Sequence, residues 1–145
     1  MISSDFDGNL CLFDADDSYK LQRMIAKALI PGKPEVSTVL SISPDGKHTA
    51  YVGPTEFIVT IVETSTLNQT VRIDISSCTM MMNDRRTMST VESALFAQYA
   101  PNRQLLVATN HLKLLKFDSY TGKLLNIVSI AKRMCFSHEM IHFEQ

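Results

Sequence analysis

Near the C-terminus, His138-Glu139-Met140-Ile141-His142 spells H-E-x-x-H, the ligand-and-base pattern of zinc metalloproteases. On a helix, residues four apart share one face. The two imidazoles would then reach one zinc ion while Glu139 polarised its bound water. A catalytic zinc also needs a third protein ligand and a cleft for the substrate. Three residues follow His142, and Cys135 and Glu144 lie too near to complete such a site. We read the pattern as a coincidence in a polar tail, with a zinc-dependent hydrolase as the enzymatic alternative. No catalytic, metal-binding or cofactor-binding residue is assigned, and no cofactor is expected.

Other stretches with chemical potential have plainer readings. Asp14, Asp16 and Asp17 crowd "FDADDS", but calcium would need a longer ladder of ligands and a distal Glu. A turn in which the Asp side chains bond their own backbone fits better. "PGKP" at 31–34 lacks the spacing and the following Ser/Thr of a phosphate-binding loop. Met80–Met82 and Arg85-Arg86 sit in a stretch that reads as a surface insertion.

Composition narrows the classes further. Hydrophobic residues make up 45% of the 145, enough for one core. The net charge of −1, from 14 basic and 15 acidic residues, gives no footprint for nucleic acid or anionic lipid. No apolar run approaches a membrane span, and the first residues lack the basic and apolar regions of a signal peptide. Three widely spaced cysteines, Cys11, Cys78 and Cys135, fit reduced thiols in the cytosol or nucleus better than a disulfide framework or a zinc knot.

The elements that would position any site read as strands. Short runs of Val, Ile, Leu and Phe are punctuated by turn residues, and helical periodicity is poor. Strands are expected near 9–14, 19–25, 36–42, 47–52, 57–62, 68–75, 94–99, 104–109, 112–117 and 123–130. Three segments align on Phe13-Asp14, Val62-Glu63 and Phe117-Asp118. An apolar residue stands three positions before each anchor: Leu10, Val59 and Leu114. A polar turn follows each, and then another apolar strand. The anchors recur at roughly fifty-residue intervals, long for one repeat but explained by insertions. The implied unit is an antiparallel meander of strands a to d. One such sheet cannot bury both faces, whereas a stack of like sheets does.

The stretches "SDFDGNLCLFDADDSYKL" and "ATNHLKLLKFDSYTGKLL" resemble the WD-repeat family. Phe13 and Phe117 stand where that family usually has Trp, and Asp14 and Asp118 hold its Asp. Val62-Glu63 is a degenerate version, and the Gly-His that often opens a repeat is missing, so the family's buried His–Ser–Trp–Asp network is not carried over. The resemblance implies an all-β fold: a partial WD-repeat β-propeller with about two complete four-stranded blades and one incomplete blade. The expected organisation is an incomplete blade at 1–30 with strands b to d, a blade at 31–75, an inter-blade insertion at 76–92, a blade at 93–130 and an irregular tail at 131–145. Met1 falls inside a strand b, so the sequence reads as a piece of a longer propeller.

Residues 36–130 also resemble the propeller array of a centriolar WD-repeat scaffold, most distinctively in "YVGPTEFIVTI" and "RIDIS". The implied role is a non-enzymatic protein-interaction scaffold of the cytoplasm, at the centriole or cilium base, binding other scaffold components. The alternative within the family is a module of another assembly, such as an axoneme or a ubiquitin-ligase adaptor. That scaffold binds microtubules through an N-terminal domain that nothing here matches, so direct microtubule binding is not expected. Phe13, Val62 and Phe117 are expected in equivalent buried places, with Asp14, Glu63 and Asp118 as the repeat's acidic anchors.

Overall fold

A computed structural model of the chain describes residues 1–30, 40–79, 90–96, 103–110 and 113–129. Three antiparallel meanders follow one another. The first sheet holds β1 (Ile2–Ser4), β2 (Leu10–Asp14) and β3 (Lys20–Ile25). The second holds β4 (Ser41–Ile42), β5 (His48–Val52), β6 (Ile58–Glu63) and β7 (Gln69–Asp74). A single helical turn, α1 (Ser76–Thr79), leaves it. The third holds β8 (Val91–Phe96), β9 (Gln104–Thr109), β10 (Lys113–Asp118) and β11 (Leu124–Ser129). Within each sheet every strand pairs with its neighbour in sequence. The architecture is therefore two four-stranded sheets and one of three strands, b to d.

Two places depart from the sequence reading. The strand expected at 94–99 begins at Val91, inside the stretch assigned to the insertion. Its start is fixed by partners remote in sequence. Val91 N–H donates to Glu56 O at 2.7 Å, and Thr90 is tied to Asn110 through Asn110 N–H to Thr90 O and Thr90 N–H to Asn110 Oδ1. Helical turn α1 was not foreseen. Asp74 Oδ1 accepts from the Ser76 N–H at 2.9 Å, and Cys78 N–H donates to Ile75 O, which turns Cys78 into the core. Of the strand expected at 36–42, only Ser41–Ile42 is observed, because residues 31–39 lie outside the described residues, as do 97–99.

Packing follows from strand alternation. Residues i and i+2 of a strand share a face, so each sheet has two faces to hide. Ala50, Val59, Ile61 and Ile73 of the second sheet pack against Phe96, Leu105, Val107, Leu115 and Phe117 of the third. Tyr51 and Val62, on the opposite face, pack with Leu67 against Leu10, Leu12 and Leu29. The middle sheet is thus covered on both sides, and β6 is buried over Ile58–Val62. Its near-continuous apolar run "IVTIV" is what two-sided burial requires. Its one polar side chain there, Thr60, donates from Oγ1 to Gly53 O at 2.8 Å. The d strands lie outermost, and β3 is exposed along nearly its whole length.

Gly53, just after β5, lies tightly against the segment that follows β3. Its φ is +154°, and a Cβ built there would stand 2.0 Å from Ala28 O and 2.8 Å from Leu29 Cα. Both obstacles are backbone, so no rotamer change relieves them. Gly46, in the β4–β5 turn, has φ +73° but nothing within 4 Å of its Cβ position. We therefore expect Gly53→Ala to destabilise by about 3 kcal/mol or more, through clash and backbone strain. Gly46→Ala should cost only about 1 kcal/mol, from backbone strain alone. Paired urea denaturation curves check this, and equal losses would contradict the close approach.

Candidate interaction surface

An a-b-c-d meander places its a–b and c–d turns at one end and its b–c hairpins and d–a connections at the other. The c–d turns follow the anchors and share a geometry. In all three sheets the pairing between strands c and d slips just before the anchor, between Leu12 and Phe13, Ile61 and Val62, and Lys116 and Phe117. The slip leaves Gln22, Thr70 and Leu125 without a partner across the ladder. Thr70 Oγ1 uses this to reach Ile61 O at 3.1 Å.

The acidic anchors organise the turns. Asp118 Oδ1 accepts from the N–H groups of Tyr120 and Thr121, both at 2.9 Å, while Gly122 N–H donates to Asp118 O. Glu63 builds the same frame with a longer arm: Oε2 accepts from Thr66 Oγ1, and Leu67 N–H donates to Glu63 O at 2.8 Å. Gly122 and Leu67 take equivalent positive φ, 71° and 58°. Asp14 Oδ1 accepts from Asp16 N–H and Oδ2 from Gln22 Nε2. That turn is one residue longer and carries two positive-φ residues, Ser18 and Tyr19. Asp16 is thus tied into an Asx-type turn.

The apolar anchors occupy equivalent register places, each on the face toward the preceding sheet. Val62 and Phe117 are buried there, at 0% and 1% exposure. Phe13 corrects the expectation of equal burial: it remains partly exposed. Its face of the first sheet has no described sheet packed on it.

The a–b turns lie beside the c–d turns. Thr64 N–H donates to Lys47 O at 2.8 Å, and Ser119 N–H to Arg103 O at 2.9 Å. Within the a–b turn Ser43 Oγ donates to Asp45 Oδ1 at 2.6 Å, and Lys47 N–H donates to the same oxygen. Three side chains that sequence reasoning missed then bridge sheets or turns. The Arg103 guanidinium sits 3.9 Å from the centre of the Tyr120 ring, a cation–π contact. The His48 ring of the second sheet meets the same tyrosine edge-on, with centroids 5.4 Å apart. Arg23 Nη1 of the first sheet donates to Thr66 O and to Asn68 Oδ1 in the second sheet's c–d turn. No sequence pattern signals such pairs, because their members are distant in the chain and two of the three contacts join different repeats. The result is a continuous end face of braced turns that exposes Tyr19 and Tyr120 among mixed charges.

The far end is different. The b–c hairpin of the first sheet is closed by Asn9, whose N–H and Nδ2 donate to the two carboxylate oxygens of Asp5 at 2.8 Å. It presents Phe6 at 73% exposure. Among the described residues no group of three or more His, Cys, Asp or Glu is gathered for a metal ion, and no helix is long and apolar enough to cross a membrane. The "HEMIH" stretch, Met80–Met82, Arg85-Arg86 and "PGKP" lie outside the described residues.

No protein-family model matches the chain. Among curated proteins it is similar to WD repeat-containing protein 90 of Xenopus tropicalis, 35% identical over 98 residues, which span 68% of this chain and 5% of that protein. The Mus musculus protein of the same name is 28% identical over 142 residues, 94% of this chain and 7% of that protein. The chain thus spans only a small part of the curated relatives it matches. Among solved structures it resembles RRP9 WD40 repeats, with TM-score 0.61, 16% identity, and coverage of 88% of this chain and 34% of that one. It also resembles BamB from Moraxella catarrhalis, with TM-score 0.62, 12% identity, and coverage of 89% and 32%. At these identities the structural likeness establishes the fold, an arc of a WD-repeat β-propeller in which each sheet is a blade.

The turn end also has a pH signature. The Thr121 and Tyr120 N–H groups hold the Asp118 carboxyl below its ordinary range, as the Ser43 hydroxyl and Lys47 N–H do for Asp45. A depressed folded-state pKa contributes stability that is full above the unfolded value and is lost as pH falls through the folded one. Stability should therefore be flat from neutral pH to about pH 5 and fall below about pH 4. Asp118→Asn should make that fall shallower, as read by thermal denaturation across the acid range. An unchanged acid profile in the variant would contradict the assigned hydrogen bonds.

Proposed function

The chain belongs to the WD-repeat family, and on that premise we propose that it is a non-enzymatic protein-interaction scaffold. Its blades form part of a propeller wall, and its turn end is the docking face for other scaffold proteins. The observation that carries this is the end face itself. Its turns are held by their own side chains and by contacts between blades, so the exposed tyrosines sit on backbone that is already ordered. A partner then pays little ordering entropy, and Tyr is among the side chains that most often anchor interfaces.

The resemblance of residues 36–130 to a centriolar WD-repeat scaffold supports a cytoplasmic place at the centriole or cilium base. An axonemal or ubiquitin-ligase module is the reading that a different location would favour. The zinc-hydrolase alternative gains nothing from the described residues or from the relatives. The chain also contributes no direct microtubule contact. Its adjacent basic pairs are Arg85-Arg86 and Lys132-Arg133, set among a slight excess of carboxylates. Exposed ion pairs are worth about 0–1 kcal/mol each, so four such charges give at most about millimolar affinity for an acidic lattice.

Recruitment tests the proposal. The tagged chain is expected to concentrate at centrioles or cilium bases, to stay there after cytoplasmic microtubules are depolymerised, and to disperse when Tyr19 and Tyr120 are both changed to Ala. The purified chain is expected not to co-sediment with microtubules. Diffuse distribution of the wild-type chain, undiminished recruitment of the double variant, or saturable microtubule pelleting would contradict it.

A further inference from the structure

Where the second and third blades meet, the turn end uses its two signs of charge unequally. The carboxylates are committed to their own turns: Asp45 to Ser43 Oγ and the Lys47 N–H, Glu63 to Thr66 Oγ1, and Asp118 to the N–H groups of Tyr120 and Thr121. The cations are not. Lys47, Arg103 and Lys123 are all exposed, and among the described residues their charged groups donate no hydrogen bond. Arg23, at the junction of the first and second blades, is the contrast, because its guanidinium is spent on Thr66 O and Asn68 Oδ1.

Arg103 is ordered without being spent. Its guanidinium lies 3.9 Å from the centre of the Tyr120 ring, and His48 of the second blade holds that ring edge-on. Stacking occupies the flat face of a guanidinium and leaves the N–H groups around its rim free. That rim is a planar fork, which a carboxylate meets with two parallel hydrogen bonds. The backbone is fixed as well. Arg103 holds a positive φ of 44°, a conformation that the second blade's a–b turn gives to Gly46, and its C=O accepts from Ser119 N–H. Its place is open to solvent for a reason internal to the stack. Lys47 occupies the same place one blade earlier, with its C=O accepting from Thr64 N–H, and it stays exposed although the third blade follows it.

We propose that the Arg103–Tyr120 pair seats one carboxylate, an Asp or Glu side chain on the protein segment that docks at the turn end. This rests on the turn end being the docking face and names the chemistry its partner must bring. The seat offers donors and no uncommitted acceptor beside them. One held guanidinium balances one negative charge. A phosphomonoester carries nearly two, and the neighbouring Lys47 and Lys123 ammonium groups are not held in place to meet the second. A single such contact selects a side chain within a larger interface; it does not gather acidic lattices.

Selection from a randomised peptide library tests it, using the purified full chain as bait and the Arg103→Lys chain for counter-selection. Lysine keeps the charge and loses the fork and the stack. Peptides retained by the wild type alone should be enriched in Asp and Glu. For such a peptide, changing its acidic residue to the amide should weaken binding by about tenfold, as should Arg103→Lys, and the two losses should not add when combined. Lys123→Gln, a general charge control, should weaken binding by less than about threefold. Unchanged melting would confirm that the variants fold. The proposal is overturned if no peptide survives counter-selection, if the survivors are not acidic, if the two losses add in full, or if Lys123→Gln costs as much as Arg103→Lys. Competition by inorganic phosphate more effective than by acetate would also overturn the carboxylate assignment. A chain that reaches centrioles yet selects no acidic peptide would keep the docking face and lose the seat. One that selects acidic peptides yet stays diffuse would keep the seat and lose the location.

Discussion

An antiparallel meander with apolar residues on both faces cannot hide itself, and the rest of this structure follows from that. The middle blade shows the condition satisfied. Val59 and Ile61 point one way, Tyr51 and Val62 the other, and all four lie in apolar contact with a neighbouring blade. The apolar contribution scales with area removed from water, at about 25 cal/mol per Å², so each covered face is worth several kcal/mol for a few hundred Å². Whole-domain stability is only about 5–15 kcal/mol. Covering a face is therefore decisive for a stack of this size, and the identity of the neighbour matters more than any single hydrogen bond within a blade.

The turn end depends on the same stacking. Within each blade the slip before the anchor and the anchor's carboxylate set the c–d turn. Between blades, Arg23, His48 and Tyr120 connect one turn to the next only because the sheets beneath are held face to face. The end face is thus built as a by-product of burying the blade faces. A change deep in the stack, such as at Gly53, should loosen side chains on the surface that it never touches.

Much of this was legible in the sequence. The anchors could be aligned because a repeat must return the same residue types to the same register place, and eight of the ten expected strands lie within a residue or two of their expected bounds. What the sequence did not disclose arises between repeats. The early start of β8 depends on Glu56 and Asn110, which are distant in the chain. The partial exposure of Phe13 depends on what lies beyond the first blade, not on Phe13 itself. Helical turn α1 is one turn long, too short for any periodicity to register. The bridging of Arg103, Tyr120 and His48 joins two blades at a contact that no linear pattern encodes.

The central claim is that the middle blade is held by neighbours on both faces. Residue-resolved amide hydrogen exchange tests it most directly, because local opening is slowest where burial is two-sided. The account predicts that the ladder-bonded amides of β5 and β6 are the slowest to exchange in the chain. The outermost strands, β3 and β11, should exchange considerably faster. If β6 exchanged as fast as β3, the blades would not be stacked as described, and the account of both the fold and its end face would be contradicted.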